Sequence, residues 1–154
     1  MRFAFEADVK AQEEGKWFRP KELMDKGRIK VRASTCSAYR KEQQRLLIEA
    51  QKLPMDERTE FLEKGQSEAL RDIILVDFEL IDITGAVHTY TPALAIDLMN
   101  HKNTQYRFFQ NAVASAADEN AKTTIDLEDE EVKLSAGLSG NPASSDPSTE
   151  TEEN

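Results

Sequence analysis

A mainly α-helical fold with a small N-terminal antiparallel β element, an α+β class of about four helices that ends in a disordered acidic tail, is what this sequence predicts. Three observations carry the prediction. Apolar residues recur at helical spacing in three long segments, strict alternation is confined to short runs, and after Lys122 the composition turns to Gly, Pro, Ser, Thr and acids. The chain has 154 residues, enough for one domain with a single modest core. We read 1–121 as that domain and 122–154 as the tail.

In chain order, Phe3, Phe5 and Ala7 alternate with Arg2, Glu6 and Asp8, which predicts a strand near 1–9. Ile29 and Val31 alternate with Arg28, Lys30 and Arg32, which predicts a second strand near 28–33 and pairing between the two. The stretch from Glu13 to Pro20, with Trp17 inside it, reads as a turn and irregular loop because Gly15 and Pro20 punctuate it. Ser34, Thr35 or Ser37 can cap a helix near 35–53, whose stripe is Tyr39, Leu46, Leu47, Ala50 and Leu53 before Pro54 stops it. A second helix is expected near 56–78: Asp56, Glu57 and Glu60 complement its N-terminal dipole, and Leu62, Ala69, Ile73 and Val76 line one face. Gly65 within it costs ~1 kcal/mol relative to Ala, so packing must compensate.

Leu80–Ile83 and Val87–Tyr90 flank Thr84-Gly85 and predict a short hairpin or an extended loop. Thr91-Pro92 then opens a helix near 92–101, with Pro at its first position. Asn103 or Thr104 caps the last helix, near 103–121, which carries Tyr106, Phe109, Val113 and Ala116 with Phe108 alongside. The tail cannot offset ordering costs of ~1–2 kcal/mol per residue, so it is expected to be disordered when free. Within it Ile125, Leu127, Val132, Leu134 and Leu138 interleave with acids, a pattern suited to folding onto a partner.

Charge and composition exclude several classes of function. Residues 1–53 hold 13 basic and 8 acidic groups, residues 54–121 hold 5 and 12, and residues 122–154 hold 2 and 9. A chain negative over two thirds of its length is repelled by nucleic acid. Cys36 is the only cysteine, which rules out an intrachain disulfide and suits a reducing compartment. Glu6 and Asp8 stand where a signal peptide would be apolar, and no run approaches a membrane span, so neither export nor a membrane partner is expected.

No residue set makes a convincing catalytic, cofactor or metal site. Cys36 has no local nucleophile signature and reads as a small buried residue, and His88 as a hairpin residue. Asp97 and His101 share a helix face, yet zinc requires a third ligand. Asp77, Glu79 and Asp82 resemble a divalent-cation cluster but read better as solvated acids. Asp126 to Glu131 lacks the glycine and spacing of a calcium loop. No enzyme activity is expected. What remains is apolar surface: Tyr106, Phe108 and Phe109 cover more than one face of a helix, so either one meets a partner or a central helix buries all three. The candidate partner-binding residues are therefore Tyr106, Phe108, Phe109 and Val113 on the last helix, Trp17 in the early loop, and Ile125, Leu127 and Leu134 in the tail.

The order of elements resembles the tail assembly chaperones of long-tailed bacteriophages, encoded between the tail tube and tape measure genes. The similar stretches are Met1 to Val9, Arg28-Ile29-Lys30-Val31-Arg32 with Ser37-Ala38-Tyr39, and Ile74-Leu75-Val76-Asp77-Phe78-Glu79-Leu80. The segment from Asp82 through Gly85 to Thr91-Pro92 and Ala95 resembles the family's acid-glycine loop leading into a Ser/Thr-Pro helix start, and Phe108 to Asn120 its closing helix. Phe78 stands where that family carries tryptophan. The resemblance implies an ATP-independent chaperone in the host cytoplasm that binds the tape measure protein, and tail tube subunits as a further partner, and is absent from the mature virion. Self-association stays open. The competing readings are a virion structural protein, such as a tail completion or head-tail connector subunit, and a small metal-dependent nuclease built on Asp77, Glu79 and Asp82.

Overall fold

The computed structural model describes residues 3–122 and residue 126. The expected tail, with Ile125, Leu127 and Leu134, lies outside the described residues apart from Lys122 and Asp126. Asp8–Ala121 form one compact unit, and residues 3–7 belong to another. The fold is mainly α with a four-stranded antiparallel sheet, in the order β1 (Lys16–Phe18), β2 (Gly27–Val31), β3 (Leu75–Ile81), β4 (Val87–Thr89). A short α1 (Val9–Glu14) and four longer helices, α2 (Ser37–Gln51), α3 (Met55–Ala69), α4 (Pro92–Leu98) and α5 (Arg107–Asn120), complete it.

Over the described residues 3–9 the expected opening strand does not form. Glu6 N donates to the Phe3 carbonyl at 3.0 Å and Phe3 N to Glu6 Oε2 at 2.9 Å, which closes a turn and stacks the Phe3 and Phe5 rings 5.4 Å apart. Asp8 then caps α1 by accepting from Ala11 N. The strand beside β2 is instead β1, taken from the stretch read as an irregular loop, with Lys16 opposite Val31, Trp17 opposite Lys30 and Phe18 opposite Ile29. Gly15, at φ 105°, makes this entry possible by ending α1 in a conformation that suits glycine.

A second correction concerns the helix expected over 56–78. Regular helix stops at Ala69, a π-turn follows over Leu70–Ile74, and Leu75 begins β3. The cause is tertiary. Arg32 Nη1 donates to the Ile73 carbonyl at 2.7 Å and Arg32 N to the Ile74 carbonyl at 2.9 Å, so these two acceptors are satisfied from β2's end rather than by another helical turn. Ile73 and Val76 sit in an apolar run that suits either period, and pairing with β2 selects the strand.

Phe18, Ile29 and Phe78 align across β1, β2 and β3 on the face turned to the core. Phe78 is fully buried and meets Tyr90 and Phe109 edge-on at 5.3 and 5.7 Å. α5 covers this layer with Phe109, Ala112, Val113, Ala116 and Ala117, a stripe at i, i+3, i+4, i+7 and i+8. The buried Asn120 side chain ends that stripe by donating to the carbonyls of Ala11 at 2.9 Å and Val31 at 3.0 Å, which ties α1, β2 and α5 together. No helix among the described residues is long and apolar enough to cross a membrane.

Gly27 is required by close approach rather than by its dihedral angles. A Cβ there would lie 2.7 Å from Leu80 Cδ2 and 2.9 Å from the Glu79 carbonyl oxygen. Gly27→Ala is therefore expected to destabilise the fold by about 1–3 kcal/mol, the usual cost of overpacking, read as a lower urea midpoint with an unchanged slope.

Candidate functional site

Helices α2 and α3 form an antiparallel arm whose α3 side lies beside α4 and the turn after it, from Glu60 to Arg71. Only its base, through Cys36, Tyr39, Ala69 and Leu70, belongs to the main core. Farther out, Leu46 and Ala50 are buried between the two helices themselves, and a Cβ on Gly65 would lie 2.5 Å from Leu46 Cδ2. Gly65 thus lets the helices approach closely, which is the packing that offsets its low helix propensity. Arg58 closes the tip by donating from Nε to the Leu53 carbonyl at 3.0 Å and from Nη2 to the Gln51 carbonyl at 3.2 Å, so the last carbonyls of α2 have partners.

One face of the arm opens into a groove of about 360 Å³ lined by Gln43, Leu46, Leu47, Leu62, Glu63 and Gln66. Leu47 is 56% exposed, and Met55 at the start of α3 is 80% exposed. Gln43 Nε2 donates to Gln66 Oε1 at 2.6 Å, and Gln66 Nε2 donates to the Tyr39 hydroxyl. The groove is therefore apolar in its middle and polar toward the body. The opposite side of α3 is braced, since His101 Nε2 lies 2.9 Å from Glu60 Oε2. Glu60 is two residues from Leu62, about 200° around the helix, so the brace leaves the groove free. The His101 hydrogen bond, with Lys102 and Lys64 nearby, holds the Glu60 carboxyl below its usual range.

The candidate residues on α5 separate into two kinds. Phe109 and Val113 are core, 5% and 0% exposed, so both are corrected from contact surface to packing. Tyr106 is half-buried against the same core. Phe108, at 73%, is the exposed member of the three aromatics. Trp17 lies on the outer face of the sheet under the Arg28 guanidinium, 4.0 Å from the ring centre. Arg28 in turn makes a two-pronged pair with Glu79, both contacts at 3.0 Å. The structure does not bring Trp17 and the α5 aromatics into one site. Ile125, Leu127 and Leu134 lie outside the described residues.

The acidic candidates each have a local task. Glu79 is paired with Arg28, and Asp77 Oδ1 accepts from Phe78 N at 2.8 Å. Asp82 organises the β3–β4 turn: Oδ1 accepts from Thr84 N, Thr84 Oγ1 and Ala86 N, and Oδ2 lies 2.7 Å from His88 Nε2. Asp97 Oδ1 accepts from Asn103 Nδ2 while His101 turns to Glu60, so these two do not share a ligand position. Among the described residues no three His, Cys, Asp or Glu side chains converge on a metal-sized space. Cys36 is buried at 1% exposure.

The groove residues Leu47 and Leu62, and the exposed Met55 at the start of α3, were not among those chosen from sequence. A usable signal existed: Leu46-Leu47-Ile48 are three consecutive apolar residues on one helix and cover more than one face, as Phe108-Phe109 do. No family model, no curated protein and no solved structure matches the chain.

Adjacent phenylalanines should behave oppositely on truncation. Phe109→Ala is expected to cost about 3–5 kcal/mol of stability, whereas Phe108→Ala should stay within about 0.5 kcal/mol, both read by chemical denaturation. The hydrogen bond from the Thr84 hydroxyl, followed by that to His88, holds the Asp82 carboxyl well below the usual carboxylate range. A carboxyl lowered on folding stabilises above its unfolded value, and that contribution is lost only as pH falls through the folded one. The Thr84 and Ala86 amides should therefore keep their native shifts below pH ~3.9, where an ordinary Asp is half protonated, and Asp82→Ala should lose their exchange protection even at neutral pH.

Proposed function

We propose that this chain is a tail assembly chaperone of a long-tailed bacteriophage. It binds the tape measure protein, and tail tube subunits as a further partner, keeps the apolar helical client soluble in the host cytoplasm, and leaves before the virion is complete. The observation that supports this reading best is the arm: two helices held together outside the main core, with an apolar groove open along one face. A long helical client exposes an apolar stripe until its final partner surrounds it, and a groove between two helices accepts such a stripe as a third helix. The residue pattern from Asp82 to Ala95 supports the family, and the negative charge supports solubility of a client complex.

The expected result on co-expression is co-purification of this chain with a tape measure fragment. Leu47→Asp, which puts a carboxylate into the groove at an exposed position, should weaken that capture about tenfold, or 1.4 kcal/mol, in isothermal titration. Absence of any association while both proteins are soluble would overturn the reading.

A further inference from the structure

We infer that the groove of the arm takes a helix whose apolar stripe carries lysine or arginine along one flank only, and that this one-sided charge sets the direction in which the helix lies. The identity of the client rests on the chaperone reading. The charge preference rests on the two walls of the groove.

The walls are built differently. Counted at ~100° per residue from Leu62 toward the groove, Gln66, Thr59, Glu63 and Asp56 follow at about 40°, 60°, 100° and 120° on α3. Counted in the same way from Gln43, Leu47, Arg40, Gln51 and Gln44 follow at about 40°, 60°, 80° and 100° on α2. The outer rim of the α3 wall is therefore Glu63 and Asp56, both exposed and about 10 Å apart along the helix. The outer rim of the α2 wall is Gln44 and Gln51, both exposed, with Arg40 two turns nearer the body than Leu47. Acids edge one wall and amides the other.

The two rim acids are also unengaged. Among the described residues neither Glu63 nor Asp56 makes an ion pair or a side-chain hydrogen bond, and Glu63 is the charged member of the groove lining. By contrast Glu42 pairs with Arg45 and Glu49 with Lys52 on the other side of α2, and Glu60 meets His101 on the other side of α3. Arg58 turns its guanidinium to the carbonyls at the tip.

A helix that lays its apolar stripe on Leu47 and Leu62 sets one flank over Glu63 and Asp56 and the other over Gln44 and Gln51. Lysine or arginine on the first flank meets opposite charge, whereas an acid there is repelled. Rim-exposed pairs of this kind add little to affinity and more to the choice of partner, as flanking charges do in coiled coils. Reversing a helix in the groove exchanges its flanks. A client with bases along one flank therefore fits in one direction, and a client with bases along the other flank fits in the opposite direction.

The probe is a stapled three-heptad helical peptide with a leucine stripe, made in forms that carry Lys, Gln or Glu seven residues apart along one flank, and titrated into the full chain by fluorescence anisotropy. At low salt the Lys form should bind about tenfold tighter than the Glu form, and high salt should narrow the difference. Glu63→Lys, at an exposed position, should reverse the order. A spin label on the N-terminus of the Lys form should broaden signals at one end of the groove, Met55 or Gln43. Moving the lysines to the other flank should move the broadening to the other end. Equal affinity for the Lys and Glu forms, one direction for both flanks, or failure of every form to bind overturns this inference and leaves the chaperone reading to its own test. Preference for the Lys form with no binding of a tape measure fragment overturns the chaperone reading alone.

Discussion

The rest of the structure depends on the pairing of β2 with β3. Gly27 to Val31 lie against Leu75 to Leu80, although more than forty residues separate the two strands. Whatever lies between them must leave the sheet at Val31 and return to it at Leu75, so the intervening helices form an antiparallel hairpin with a fixed base. The same pairing sets Ile29 and Phe78 side by side under α5. Asn120 and Arg32 secure its end, one by reaching the Val31 and Ala11 carbonyls, the other by satisfying the carbonyls of the π-turn. Loss of this ladder would release the core layer and the arm together.

That constraint divides the chain into parts with different tasks. Between sheet and α5 the apolar groups are consumed by packing, and little of Phe78, Phe109 or Val113 reaches solvent. On the outer sheet face Trp17, Arg28 and Glu79 are engaged across three strands, with Ile81 and Val87 exposed beside them. On the arm Leu47, Ile48 and Met55 are exposed, as Ile83, Val87 and Phe108 are elsewhere. The arm's two helices bury Leu46 and Ala50 against each other, and a hairpin of that size leaves one side of the leucine stripe open, because two helices cannot enclose a stripe wider than their contact line.

Much of the helical part was legible in the residues. The α5 stripe, the Thr91-Pro92 start with its Thr91 hydroxyl accepting from Leu94 N, and the Gly85 turn all follow from local periodicity and capping chemistry. The errors have a common cause. Residues 1–9 alternate as a strand does, yet Phe3 to Glu6 close a turn, while Lys16–Phe18 lack any strong strand signal and are extended because β2 offers them an edge. Leu75 to Phe78 follow a helical stripe without a break, and only the ladder with β2 turns them into strand. On α5, consecutive aromatics signalled that one must be exposed, but the choice of Phe108 over Phe109 depends on where Phe78 sits.

By itself the sequence determined the class of fold, the positions of the long helices, and the charge asymmetry, because periodicity, caps and net charge are local properties that each segment carries with it. The tertiary structure alone decided which strands pair, where α3 gives way to β3, and which apolar residues remain exposed. Those outcomes turn on contacts between residues far apart in the chain, whose free energies exceed local preference and leave no mark on the segment itself. The open groove of the arm belongs to this second group, since Leu47 and Leu62 become one surface only after the strands at its base have met.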